Sequence, residues 1–144
     1  MIEIHGNIFD QECDAICITT NGIIKKNGEA VMGAGIALQA KIKYPQLPKL
    51  LAERIKQKGN HVYSFDIEGE ERTVVTFPTK HHWKENSDME LIKRSLLQLV
   101  WLANENKWGK VCLPRPGCSH GKLSWLEVKR YVEKLDDRFI VVNL

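Results

Sequence analysis

A chain of 144 residues, 43% hydrophobic and 27% charged, can bury a core without a disulfide framework, which excludes a disordered, collagen-like or fibrous protein. No apolar run approaches the roughly 18 residues that a membrane span requires. The balance of 21 basic against 18 acidic residues, a net charge of +3, is too small to imply nucleic-acid binding by itself.

The opening MIEIHGNIFD carries no basic stretch ahead of a long apolar one, so no secretory leader is expected. Cys13, Cys17, Cys112 and Cys118 form no Cys-x-x-Cys pair and suit free thiols in a reducing compartment. The expectation is a cytoplasmic, monomeric protein with no membrane contact.

Alternation of Ile2, Ile4 and Ile8 predicts a strand over residues 1–8. The nearly continuous apolar run of 14–19, ended by Thr-Asn-Gly, suits a central strand covered on both faces. Residues 21–35 hold Gly22, Gly28, Gly33 and Gly35 and read as a loop. Helical spacing returns over 36–44, where Pro45 stops it. A second helix spans 47–58 and closes at Gly59. Residues 62–67 and 72–77 read as a hairpin across Glu68-Gly69-Glu70. Ser87-x-x-Glu90 is a capping box, followed by the stripe Ile92, Leu96, Leu99 and Ala103. Residues 110–113 are a short apolar strand. Ser124-x-x-Glu127 is a second box, with Trp125, Val128, Val132 and Leu135 facing inward, and 139–144 is a closing strand. No linker, repeat or low-complexity segment interrupts this order, so a single three-layer α/β domain over 1–144 is expected, a mixed sheet packed by helices.

In open α/β sheets ligands bind beyond the carboxyl ends of the strands. The loops 20–35, 78–86 and 114–123 all leave strands that precede helices, and they hold the glycines and the clustered bases. If those strands run parallel, the three loops meet on one edge. Gly33-Ala34-Gly35-Ile36 enters a helix, where close backbone N–H groups and the helix terminus suit a diphosphate; glycine serves tight turns as readily. Gly117-Cys118-Ser119-His120-Gly121-Lys122-Leu123 offers a second nest, or simply a capped connection.

Lys80, His81, His82 and Lys84 cluster after a strand. An isolated lysine there is ordinarily a solvated charge, but one near other cations such as Lys84 and Arg115 can become nucleophilic. Cys118 with His120 offers an alternative nucleophile, without an orienting acid. Adjacent histidines point apart in extended chain, so no metal site is expected, and no cofactor. Trp83 and Trp125 suit packing, with stacking on a base or adenine as the alternative for Trp83.

These segments resemble a macrodomain. Asp14-Ala15-Ile16-Cys17-Ile18-Thr19-Thr20-Asn21 resembles that family's Asp-Ala-Ile-Val-Asn-x-x-Asn strand end, and Val31-Met32-Gly33-Ala34-Gly35-Ile36-Ala37 its diphosphate loop. Phe77-Pro78-Thr79-Lys80-His81-His82-Trp83 is similar to the Phe-Pro-Thr-Lys-x-His-Trp segment of the DNA ADP-ribosyl glycohydrolase antitoxins. Residues 116–125 are similar to the Gly-Cys-Gly-x-x-x-Leu-x-Trp loop of that branch and of the terminal ADP-ribose protein glycohydrolases. The resemblance implies a mostly parallel sheet of about six strands with helices on both faces, and a pocket for ADP-ribose.

It further implies catalytic roles for Lys80, which attacks or stabilises the anomeric carbon of the distal ribose, and Asn21, which faces that ribose. Ligand-binding positions are Asp14 and Ala15, Gly33, Ala34, Gly35 and Ile36, Thr79, and Gly117, Cys118, Ser119, His120, Gly121, Lys122 and Leu123. Asp14 would meet the adenine amino group. The implied activity is removal of ADP-ribose from DNA or protein. A non-catalytic ADP-ribose module, or an enzyme acting on ADP-ribose 1''-phosphate or O-acetyl-ADP-ribose, stays open beside it. Protein glycohydrolases carry an aspartate where this chain has Gly121, whereas DNA-acting members tolerate glycine. The first loop is also longer, with residues 23–29 inserted before Val31, which would reshape the distal ribose site.

Overall fold

The computed structural model describes residues 1–144. Six strands form one sheet: β1 (Ile2–His5), β2 (Ala15–Thr20), β3 (Tyr63–Phe65), β4 (Thr73–Pro78), β5 (Val111–Leu113) and β6 (Phe139–Asn143). Their order is β1-β6-β5-β2-β4-β3. Every pairing is parallel except the β3–β4 hairpin, as the sequence leads one to expect. Helices α1 (Gly35–Lys43), α2 (Leu47–Lys58), α3 (Met89–Glu105) and α4 (Trp125–Val132) complete the fold. None is long and apolar enough to cross a membrane.

Side chains alternate across a strand, and the two cores follow from that. Ile16 and Ile18 of β2 pack with Ala40 of α1 and Leu47 and Leu51 of α2. Their neighbours Ala15 and Cys17 face Ile92, Leu96 and Leu99 of α3 and Val128 and Val132 of α4. Three layers result, with β2 buried on both faces. All four cysteines are free.

Local corrections are instructive. The first strand stops at His5 rather than Ile8, because Asn7 caps a short 3-10 turn over Ile8–Asp10 by accepting from the Phe9 N–H. Asp88, not Ser87, caps α3, accepting from the Glu90 N–H; the Ser87 hydroxyl is buried without a partner. Ser124 precedes α4, but its hydroxyl makes no capping bond. The inserted residues fold as a small hairpin through the Ile24–Ala30 bridge, with Lys25 N–H on Glu29 O at 2.7 Å. It does not line the cleft described below.

Arg72 ties the β3–β4 turn to the β1–β2 connection. Its Nη1 donates to Phe9 O and Gln11 O, both at 2.9 Å, and its Nε and Nη2 donate to Glu70 at 3.0 and 2.9 Å. Tyr44 also donates to Glu70. These bonds, the Arg72 guanidinium first, hold the Glu70 carboxyl down at about 2.

Candidate functional site

Five parallel strands end on one edge, and a cleft of about 1040 Å³ runs along it. It is lined by Gly6–Ile8 after β1, Val142–Leu144 at β6, Pro114 and Arg115 after β5, Thr19 and Thr20 of β2 with Asn21 beyond them, and Thr79–Lys80 after β4. Adjacent strands lie about 4.8 Å apart, so the four spacings from β1 to β4 span about 19 Å. That shape suits an elongated ligand.

The middle of the cleft is walled by the two glycine loops. Gly33, Ala34, Gly35 and Ile36 line one side, and residues 117–123 the other. Ala34 caps α1 without a side-chain bond. The N–H groups of Gly35, Ile36 and Ala37 therefore have no acceptor within the chain, nor do those of Ser119, His120 and Gly121. Six N–H donors without a partner in the chain, at a helix terminus and in the facing loop, are suited to an anion. Gly35 (φ 56°) and Gly117 (φ 73°) need the left-handed backbone. A Cβ on Gly35 would lie 3.0 Å from His120 Cδ2, so the two loops nearly touch.

Gly121 is packed tightly. A Cβ there would lie 2.0 Å from Ser87 Oγ and 2.5 Å from the Gly117 carbonyl oxygen. The backbone also pins the spot, with Ser87 N–H on Gly121 O at 3.0 Å and Leu123 N–H on Gly117 O at 2.9 Å. A carboxylate at 121 does not fit this loop.

Lys80 stands at the β2–β4 end. Its backbone is clamped: Thr79 N–H donates to Thr20 O at 3.0 Å, Asp88 N–H to Thr79 O at 2.9 Å, and Gly22 N–H to His81 O at 3.2 Å. Asn60 donates to Lys80 O at 3.0 Å, and buried Ser95 donates to Pro78 O at 2.8 Å. His81 pairs with Asp88 at 3.0 Å and holds that carboxyl below its usual range. The side chain stays free to reach the cleft, where Nζ donates to His120 O (3.2 Å) and Trp83 O (3.4 Å). Lys84 and Arg115, the cations expected beside it, line the same cleft and are each engaged with an aromatic ring. Lys84 lies over the Trp83 ring at 5.1 Å. Arg115 lies over Trp125 at 5.1 Å and faces Glu3 at 3.9 Å.

Asn21 lines the cleft as Lys80 does, but both ends of its amide shape the first loop: it donates to Val31 O at 3.1 Å and accepts from the Ile23 N–H at 3.0 Å. Cys118 lines the cleft too, and burial pushes its thiol up to about 11, away from the thiolate form. Asp14 and Ala15 lie at the amino end of β2 and do not line the cleft. Asp14 Oδ2 instead accepts from the N–H groups of Gly109 (2.7 Å) and Lys110 (3.0 Å). Sequence reasoning missed Gly6, Asn7 and Ile8, and Asn143 and Leu144, which line the far end. The Gly-Asn break at the end of the first strand was the available signal.

No family model matches the chain. It is 30% identical over 136 residues to a DNA ADP-ribosyl glycohydrolase of Thermus aquaticus, covering 91% of this chain and 36% of the relative. The corresponding protein of Mycobacterium tuberculosis is 28% identical over 131 residues, covering 87% and 35%. The chain thus spans about a third of the length of these relatives. Among solved structures, the macrodomain of Thermus aquaticus DarG superposes with a TM-score of 0.83 at 28% identity, covering 99% of this chain and 97% of that one. The macrodomain of Mycobacterium tuberculosis DarG gives 0.82 at 26%, covering 96% and 93%. Thermosipho africanus DarTG in complex with ADP-ribose shares the fold, with a TM-score of 0.80 at 23% identity over 99% of this chain and 42% of that one. Strand order, glycine loops and these likenesses together show that the chain has the macrodomain fold.

Proposed function

We propose that residues 1–144 act as one macrodomain unit that binds ADP-ribose and releases it from ADP-ribosylated DNA. Pairing of β1 with β6 joins the two ends of the chain in one sheet, which supports the single unit. The observation that carries the activity is the placement of the Lys80 amine, on a clamped backbone, at one end of a cleft walled by two glycine loops with unpaired N–H groups.

In this reading the diphosphate takes the six free N–H groups. The distal ribose lies by Asn21 and Lys80, and the adenosine half runs toward Asn7 and Asn143. Asp14 leaves the adenine site. The Lys80 amine, after losing a proton, attacks the anomeric carbon; the bond to the DNA base breaks and its electron pair leaves with the base, which takes up a proton. Water then cleaves the ribosyl-lysine adduct, returning the amine and free ADP-ribose. A lysine is suited to this because its amine can lose a proton, whereas a guanidinium cannot.

Gly121 supports a DNA acceptor over a protein one, since the acid that protein glycohydrolases carry there has no room. The same absence favours, as a second reading, a module that binds ADP-ribose without cleaving it. Incubation with ADP-ribosylated DNA, ADP-ribosylated protein and ADP-ribose 1''-phosphate decides between them, comparing wild type with Lys80→Ala. Turnover of the DNA alone, lost in Lys80→Ala, is expected. Tight ADP-ribose binding with no turnover of any of the three leaves the module reading.

A further inference from the structure

Beyond Lys80 the chain turns at His82, whose Nδ1 accepts from the Lys84 N–H and whose carbonyl accepts from the Glu85 N–H, both at 3.1 Å. The turn lifts Trp83 onto the rim of the cleft, where it is 47% exposed. Neither core uses it. Its ring is flanked by the His82 ring, with centroids 5.6 Å apart at 29°, and by Lys84 Nζ at 5.1 Å. Its own carbonyl is a partner of the Lys80 amine. In the hydrolase reading, a group attached to the carbon that Lys80 attacks would leave the cleft along the rim that carries this indole.

We propose that Trp83 stacks on a nucleobase of the single-stranded DNA that carries ADP-ribose, while Lys84 meets the adjoining phosphate. The proposal rests on the hydrolase reading and names what that site recognises outside ADP-ribose itself. Large exposed aromatics beside cations are the usual platform for unpaired bases, since every base has a π-face. An exposed cation–π contact is weaker than base stacking. A base thus displaces the Lys84 ammonium from the ring and leaves it next to the backbone that follows. Residues 80–84 hold two lysines, two histidines and no acid, which suits phosphate.

Calorimetry in a Lys80→Ala background tests this on binding alone, using free ADP-ribose, a single-stranded oligonucleotide ADP-ribosylated on one base, and an ADP-ribosylated peptide. The oligonucleotide is expected to bind more tightly than free ADP-ribose. Trp83→Ala should weaken it about tenfold or more, Trp83→Phe far less, and neither should change free ADP-ribose appreciably. Lys84→Gln should lower the slope of log affinity against log salt by about 0.7, the value for one phosphate on a single strand. The proposal is overturned if Trp83→Ala leaves the oligonucleotide unchanged, or weakens free ADP-ribose or the peptide equally. The hydrolase reading fails on a different measurement, the absence of turnover of ADP-ribosylated DNA by the wild type.

Discussion

Replacing Gly121 by alanine tests whether the second loop is held in one shape by contact rather than by chance. The added methyl would sit 2.0 Å from Ser87 Oγ and 2.5 Å from the Gly117 carbonyl oxygen. Neither obstacle yields freely: the hydroxyl is buried, and the Leu123 N–H holds the carbonyl at 2.9 Å. Overpacking typically costs about 1–3 kcal/mol, and a backbone obstacle places this case in the upper part, about 2–3 kcal/mol. For a chain of this size that lowers Tm by roughly 5–10 °C. Thermal denaturation followed by circular dichroism reads it. Ser87→Ala alone removes a buried hydroxyl that has no partner and should be neutral or stabilising. Combined with Gly121→Ala it should restore part of the loss, because only the first of the two obstacles goes. A Gly121→Ala protein melting within about 1 °C of wild type, or a double variant showing no recovery, refutes the packing argument. The idea that an acid is sterically barred there falls with it.

Lys80→Ala should keep most ADP-ribose affinity and lose turnover of ADP-ribosylated DNA, and Lys80→Arg should also be inactive; an active Arg variant would assign the lysine a charge role only. Gly33→Val should bind ADP-ribose at least tenfold more weakly, about 1.4 kcal/mol or more, with unchanged Tm, since no atom lies within 4 Å of the added Cβ; Gly35→Val is the poorer probe because its φ of 56° strains any side chain. Asp14→Ala should lose roughly 1 kcal/mol of stability and no ADP-ribose affinity, read by denaturation and calorimetry. The Glu70 carboxyl is depressed to about 2 from 4.5. Its contribution is therefore complete above pH 4.5 and lost as pH falls toward 2, and Glu70→Gln should flatten the acid limb of the stability profile in that window.

Much of this was legible before any coordinates. The two-sided apolar run of β2 and the stripes of α3 and α4 carry their burial in their periodicity, and loops after parallel strands must share an edge. What escaped depended on contacts distant in sequence. Asp14 matched a motif by neighbours along the chain, yet its carboxylate is taken by Gly109 and Lys110 N–H groups across the fold. Ser87 fitted a capping box, but Asp88 offers a carboxylate one residue later and Ser87 is drawn under Gly121 instead. Lys84 and Arg115 do line the cleft with Lys80, but the aromatic ring that each lies over was not legible from spacing. Asn7 and Asn143 come together only because β1 pairs with β6.

The absent acid at 121 and the clamped backbone at Lys80 bear on one another. A carboxylate on the second loop would fix the lysine amine by charge. Here that loop can offer only a carbonyl, His120 O, with Trp83 O beside it. Neutral acceptors hold an amine loosely, so orientation has to come from the other end of the side chain. Five hydrogen bonds fix the backbone from Pro78 to His81, from β2, the first loop, Asn60 and α3. Buried Ser95 is the one of these contacts made by a helix side chain to the end of β4. Ser95→Ala leaves the Pro78 carbonyl without that donor and lets the Lys80 segment shift. In the hydrolase reading it should therefore lower kcat on ADP-ribosylated DNA severalfold while leaving KM and free ADP-ribose affinity near wild type. A loss confined to stability, with kcat unchanged at a temperature where the variant is folded, would show that the clamp does not orient the amine.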